Sequence, residues 1–289
     1  MVKISVIIPT TCEARRADTL RRAIDSVLSQ RGVEVELIVV VNGQRFDPAL
    51  LDAMRSNPAL RAVYIETPSP SVACRHGRSL ATGEFFAFLD DDDEYLPGAL
   101  AARLAPAASD AAIDIVVSNG YCGVDLHITR TANIEADPLG AMLEQNWLAS
   151  CGALFRHRSC GDEFFADLPK YMEWTLLAYR LLAAGKRMKF VDTPTYRIND
   201  TPQSASKSRE YRQAAATVIE RVLSLPLPLH IRRRLRPRLL AARHDLSVMN
   251  LEEGRRGAAW ALHLQSLAGF SGLRYLSYTR RLFFARPAR

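Results

Sequence analysis

The residues with the clearest capacity for chemistry lie in "EFFAFLDDDDEYLP", Glu84 to Pro97, where an apolar run ends in four aspartates and a glutamate. Carboxylates this close repel one another and keep their charge only beside water or a cation. Clustered oxygen ligands suit a hard divalent ion. Mg2+ or Mn2+ takes one or two carboxylates and completes its shell with phosphate and water. The competing reading is a solvated acidic loop leading into the helix that Pro97 begins, since negative charge is favourable at a helix start. The uncharged strand in front of the run moves the balance toward metal.

The surrounding elements decide where such a run would sit. "KISVIIP" (3–9), "VELIVVVN" (35–42), "RAVYIET" (61–67) and "EFFAFL" (84–89) read as buried strands. Helical patterns separate them. One covers 18–30, with Asp18 as N-cap; a weaker one begins near Pro48; a third covers 71–83 and closes on Gly83. Strand and helix alternating in this way give an α/β fold with a parallel, doubly wound sheet. Ligands in such sheets bind beyond the carboxyl ends of the strands. Three of those ends are chemically loaded: Pro9-Thr10-Thr11, Asn42-Gly43-Gln44 and Asp90–Glu94. There is no G-x-x-x-x-G-K-[ST] loop, no G-x-G-x-x-G after the first strand and no calcium-loop spacing. The histidines lack metal-ligand spacing, and no G-x-S-x-G elbow is present.

Together, "SVIIPTTCEARRADTLRRAIDSVLSQ", "ELIVVVNG" and "PSVACRHGRSLATGEFFAFLDDDDEYLPGAL" resemble the N-terminal half of a GT-A glycosyltransferase of family 2. The likeness is close over about residues 3–100 and looser to about 205. It implies a GT-A fold: a mostly parallel, Rossmann-like sheet flanked by helices, here with a C-terminal helical extension. It also implies a nucleotide-sugar donor, inversion at the anomeric carbon, and a D-x-D metal motif carrying Mn2+ or Mg2+. Pro9, Thr10, Thr11 and Glu13 would line the nucleobase and ribose pocket, with Asn42 facing the base and Arg75 approaching the base or the diphosphate. Asp90 and Asp92 would match the D-x-D as metal groups, Asp90 and Asp91 also serving the nucleotide sugar. The register between Asp91 and Asp92 stays open by one residue. The chain departs from the family pattern in three places. Thr11-Cys12 replaces the usual Tyr-Asn, Asn42-Gly43 replaces an acidic pair, and His76 stands where Asn is usual.

In the second half, 114–130 reads as a strand and hairpin turning at Asn119-Gly120, and "YMEWTLLAYRLLAAGK" (171–186) as a helix ended by Gly185. The resemblance places the general base for the acceptor hydroxyl at the start of that helix, on Glu173. Its apolar neighbours Tyr171, Met172 and Trp174 would raise its pKa usefully. Asp162, Glu163 and Asp167 are the rival carboxylates. Trp174 could stack on a sugar, although such a residue is more often core, and Trp147 is read the same way. Residues 195–208 would form a mobile loop closing over the donor, with Arg197 touching phosphate.

Composition divides the 289 residues. Residues 1–205 hold 21 Lys and Arg against 26 Asp and Glu, while 206–289 hold 17 against 5. The expected organisation is a catalytic domain over 1–205, made of a donor half (1–97) and an acceptor half (98–205), followed by a basic helical region over 206–289. Arginines among leucines and aromatics in 228–289 suit peripheral contact with an anionic membrane. A nucleic-acid patch, or a solvated basic face on packed helices, is the other reading. Pro237 would kink or break the long basic helix. Five scattered cysteines without a C-x-x-C pair argue against zinc or a disulfide framework and for reduced thiols in the cytosol. The short apolar N-terminal run is neither a secretion signal nor a span. The expectation is a cytoplasmic or inner-face peripheral glycosyltransferase of polysaccharide, lipopolysaccharide or other glycoconjugate synthesis, acting on a glycan or lipid-linked acceptor. A non-catalytic nucleotide- or nucleic-acid-binding protein with a basic tail is the alternative.

Overall fold

Short apolar, mostly β-branched runs become the centre of the sheet, with charge confined to their first residues. β1 (Lys3–Thr10) is buried at every position after Lys3. β2 (Glu34–Asn42) pairs with it in parallel. The computed structural model describes residues 1–199 and 208–284. The helix α1 (Ala17–Leu28) buries Leu20, Ala23, Ile24 and Val27, the stripe expected of a half-buried helix. Arg16 takes the N-cap place, and Asp18 falls one residue inside the first turn, where its charge still favours the helix end. Next come α2 (Pro48–Arg55), β3 (Arg61–Ile65), α3 (Pro70–Leu80), β4 (Phe85–Phe88) and β5 (Glu94–Tyr95). The rest of the first unit is α4 (Ala99–Ser109), β6 (Ile115–Cys122), β7 (Asp125–Leu126), α5 (Pro138–Glu144), β8 (Ala153–Arg156), α6 (Glu173–Ala183) and β9 (Met188–Ile198).

The strands form one sheet in the order β3-β2-β1-β4-β8-β6-β9-β5, with β7 paired to β6. The first four are mutually parallel. β8 then inserts antiparallel to both β4 and β6, and β9 returns parallel to β6. This is the mostly parallel, helix-flanked α/β sheet expected, with a mixed half beyond β4. The core runs under it from Ile4, Val6 and Ile8 through Phe85, Ala87 and Leu100 to Leu154 and Tyr196.

Two local expectations are corrected. Gly83 does not end α3, which stops at Leu80 with Ala81 already extended. Gly83 instead lets the chain pass β1: a Cβ there would sit 2.8 Å from the Lys3 carbonyl and the Ser5 amide. Asn119-Gly120 is not a turn. β6 continues through it with a register shift against β9 on either side of Asn119, and Asn119 spends its amide on Ile128 O (2.9 Å) and Asp192 Oδ1 (2.8 Å). Gly120 lies against the Tyr196 ring, so the absence of a side chain serves packing, not a turn.

The chain divides into two compact units, Met1–Pro202 and Gln203–Arg289. The second contains α7 (Arg209–Leu223), α8 (Leu229–Glu252), α9 (Arg256–Ser266), a 3-10 helix (Phe270–Tyr275) and α10 (Tyr278–Phe284). α8 continues through Pro237 without a break. The ring removes the amide that would meet the Arg233 carbonyl, a local loss within a helix anchored by Ile231, Leu235, Leu239 and Leu240. No helix among the described residues is long and apolar enough to cross a membrane.

The close approach at β6 gives a direct test. In Gly120→Ala the new Cβ would meet Tyr196 Cε2 at 2.4 Å, with Tyr196 wholly buried. The substitution is expected to cost about 1–3 kcal/mol, read as a lower urea midpoint at unchanged m-value. A stability within error of the unsubstituted protein would remove this contact as a constraint on β6 and β9.

Candidate active site

The site is built at the carboxyl ends of the parallel strands. After Thr10 the chain passes Cys12 in the left-handed region (φ 52°) and enters α1 through the turn Ala14–Arg16. This brings the Arg16 guanidinium onto the acidic run. Nε donates to Asp91 Oδ2 at 3.0 Å, Nη2 donates to Asp91 Oδ1, and Nη2 also reaches Asp92 Oδ2 at 3.2 Å. Thr10 Oγ1 donates to Asp91 Oδ2 at 2.5 Å and accepts from the Cys12 amide at 2.9 Å. Asp91 is thus a buried counter-charge that pins β1 and the start of α1. Thr10 is turned to the same task and is itself buried.

The other aspartates differ in what they meet. Ser150 Oγ donates to Asp90 Oδ2 at 2.6 Å, yet burial, followed by the charges of Asp92 and Asp91, raises the Asp90 pKa. Asp92 is also raised, chiefly by burial, with Arg16 opposing. Asp93 is buried and accepts from the Asn199 amide at 3.0 Å; burial and the charges of Asp90 and Asp92 push it strongly upward. Burial and mutual repulsion thus make full ionisation of the run unfavourable without a further cation. Two hard carboxylates, Asp90 and Asp92, raised together in a partly buried place fit a divalent cation. Among the described residues no group of three or more His, Cys, Asp or Glu could hold a metal, so a cation here would complete its shell with phosphate or water oxygens.

A cleft of about 580 Å³ opens beside the ends of β1, β2 and β3, lined by Thr11, Asn42, Gly43, Gln44, Arg45, Glu66, Thr67 and Pro68. Asn42 is buried at its floor and donates from Nδ2 to the Thr10 carbonyl at 2.9 Å, so one end of its amide holds the β1 terminus. Pro9 is buried within β1. Glu13 is drawn toward Arg15 (2.8 Å) and, more distantly, Arg45 (3.8 Å), which lowers its pKa. Arg75 is exposed and does not line the cleft. It donates from Nη2 and Nε to Asp162 Oδ2 at 2.6 and 2.8 Å.

Glu173 begins α6 directly after Met172, a non-glycine residue at φ 59° that turns the chain into the helix. Burial pushes its carboxyl up to about 7, with the Asp90 charge adding to the effect. The Cys74 thiol feels both Asp90 and Glu173, which places the three groups in one neighbourhood. Of the rivals, Asp162 is held by Arg75, while Glu163 and Asp167 are exposed. Trp174 packs edge-on against Phe88 with ring centroids 5.3 Å apart. Trp147 is core, donating to the Pro138 carbonyl at 3.0 Å. Arg197 lies over the Tyr121 ring and pairs with Glu94 at 3.5 Å. Most of the expected donor-closing loop lies outside the described residues.

Sequence reasoning missed Arg16, Ser150, Asn199 and the lip Glu66–Pro68. Arg16 could have been found by asking which cation answers the acidic run. The lip could have been found by treating "ETP" at the third strand end like the other three ends.

The mostly parallel sheet flanked by helices is similar to solved structures of GT-A-like glycosyltransferase fold. Staphylococcus aureus TarS superposes at TM-score 0.66 with 19% identity, over 97% of this chain and 53% of that one. A TarS fragment 1–349 in complex with UDP-GlcNAc gives 0.64 with 15% identity, over 98% and 93%. Residues 5–160 match the family described as glycosyl transferase family 2, and the chain belongs to that family. The succinoglycan biosynthesis protein ExoO of Rhizobium meliloti is 37% identical over 36% of this chain and 30% of its own length. The GalNAc(5)-diNAcBac-PP-undecaprenol beta-1,3-glucosyltransferase of Campylobacter jejuni is 34% identical over 50% of this chain and 45% of its own. The chain thus matches less than half the length of these two relatives.

The Asp93 carboxyl generates a pH prediction. Its folded pKa lies above its unfolded value, so the unfolded chain ionises first as pH rises. Folding stability then falls from about pH 4 upward through the folded pKa. Asp93→Asn should match the unsubstituted protein near pH 4, and melt roughly 3 °C or more above it by pH 9. A thermal melt series over that range reads the difference, and parallel curves would refute a buried, raised Asp93.

Proposed function

We propose that this chain transfers a sugar from a nucleoside-diphosphate sugar to an acceptor hydroxyl, with inversion at the anomeric carbon. The observation that carries the reading is Glu173. It is a helix-start carboxylate raised to about 7 by burial and electrostatically linked to Asp90 of the acidic run. A group of that pKa can accept a proton near neutrality and is ionised often enough to act as a general base.

Support for the donor comes from the cleft at the strand ends and from the solved likeness to TarS, whose fragment was crystallised with UDP-GlcNAc. The nucleoside would enter the cleft at Thr11, Asn42 and the Glu66–Pro68 lip, with Pro9, Thr10 and Glu13 shaping its β1 side. Asp90 and Asp92 would hold Mn2+ or Mg2+; Asp91, engaged at both oxygens by Arg16 and Thr10, is the supporting member of the run. A cation bound there would offset the charge that gathers on the departing diphosphate.

The chain's own groups do the rest. Ser150 fixes the Asp90 carboxylate, and the Arg16 clamp fixes Asp91. Glu173 takes the acceptor proton as the acceptor oxygen bonds to the anomeric carbon and the carbon–diphosphate bond breaks on the opposite face. One displacement of this kind inverts the centre. Holding base, donor and acceptor in line and stabilising the charge at the leaving group are the two contributions to the rate. The names of the two relatives, one in succinoglycan biosynthesis and one acting on an undecaprenol-linked glycan, support a glycan or lipid-linked acceptor in polysaccharide or glycoconjugate synthesis.

Glu173→Gln keeps the shape and removes the base. It should lower kcat by roughly 10²–10⁴ with little change in donor KM, measured as nucleoside diphosphate released. In the unsubstituted enzyme kcat should fall as pH drops below about 7, because protonated Glu173 cannot accept the acceptor proton. A Gln variant with full kcat, or a flat acid limb, would place the base elsewhere.

A further inference from the structure

From Gly254 to Arg289 the chain carries seven arginines and no carboxylate. The described part of this segment is packed on its inner side. Ala259, Tyr278 and Leu282 form a buried cluster with Val248, Leu251 and Trp260, and His263 Nε2 meets Thr279 Oγ1 at 2.8 Å. The His244 ring stacks on Tyr275 at 4.2 Å. The outer side is unlike any ordinary solvated face. Phe270 is 91% exposed, Phe284 80%, Phe283 67%, Leu264 62%, Leu276 51% and Leu273 49%.

Scattered apolar residues on a surface need no explanation, but six large ones within 264–284 do. They are also ordered. Phe270, Leu273 and Leu276 recur every third residue along and just past a 3-10 helix, where such positions share one ridge. Leu264 lies one turn beyond Trp260 on α9, and Phe283 meets the Trp260 ring edge-on at 4.7 Å. Arg274, Arg280 and Arg281 are exposed among them.

Which occupant fits apolar groups interleaved with Arg274, Arg280 and Arg281? A second copy would bring the same arginines against one another with no carboxylate in the segment to pair with them. Single-stranded nucleic acid would use the arginines and aromatic rings but leave the leucines without stacking partners. We propose that the outer face of residues 264–284 docks on an anionic lipid bilayer, with Phe and Leu side chains in the interface and the arginines on headgroup phosphates. Because no described helix can span a bilayer, the contact is peripheral. The proposal stands apart from the catalytic reading.

The test is flotation of the full chain with vesicles of phosphatidylglycerol and phosphatidylethanolamine, against vesicles of phosphatidylcholine alone. Binding is expected to the first, at least about tenfold above the second, and weakened by high salt. The triple variant Phe270→Ser, Phe283→Ser, Phe284→Ser should lose about tenfold or more with every arginine in place, its fold checked by circular dichroism. Phe270→Ser alone, at the most exposed of the six, should lose about threefold should the triple variant misfold. Val124→Ser, 86% exposed in the other unit, should float unchanged. Absence of flotation would overturn the proposal. So would flotation insensitive to the phenylalanines, or a dimer or oligonucleotide complex that needs them while vesicles go unbound.

Discussion

The acidic run depends on one ion pair. Arg16 reaches both oxygens of Asp91 and touches Asp92, and without it the carboxylates of 90–93 would be buried with no opposing side-chain charge. An arginine fork suits this place because it meets a carboxylate at two points while staying charged at every relevant pH. The clamp also has a geometric consequence. Asp91 holds Thr10, Thr10 holds the Cys12 amide, and Asn42 holds the Thr10 carbonyl. The ends of β1, β2 and β4 and the start of α1 are thereby fixed by one polar network.

That network leaves a deliberate remainder. Asp90 and Asp92 keep raised pKa values because burial penalises their charged forms and Arg16 opposes it only in part. A bound cation and a diphosphate would meet carboxylates already positioned, with little reorganisation left for the moment of reaction. The same negative field extends to Glu173, whose carboxyl is raised mainly by its own burial and further by Asp90. Asp90 and Glu173 are thus linked by charge.

How much of this could be read from the chain follows from how local each signal was. β1, β2 and β4 declared themselves as apolar runs, and α1 and α6 as stripes or apolar blocks with a clear stop. Their ends carry the candidate site groups, the acidic run and Glu173. What was hidden depended on partners far along the chain. β8 is four residues long and is a strand only because β4 and β6 flank it. Asn119-Gly120 carries turn chemistry that packing against Tyr196, 76 residues later, overrides. Arg16 and Asp91 are 75 residues apart, so neither residue alone announces the clamp. The Arg75–Asp162 pair, 87 residues apart, is equally silent. Likewise Pro237 reads as a break, while the apolar anchors of α8 carry the helix through it.

The central claim is that Asp90 and Asp92 are an unfilled charge deficit shared between a cation and a diphosphate. Calorimetric titration of UDP into the full chain, with Mn2+ and with chelator, tests it most directly. The account predicts that UDP binds at least about tenfold more tightly with Mn2+, and that Asp92→Asn erases this difference while the chain stays folded. UDP affinity that is equal with and without the cation, or a cation effect that survives in Asp92→Asn, would contradict it.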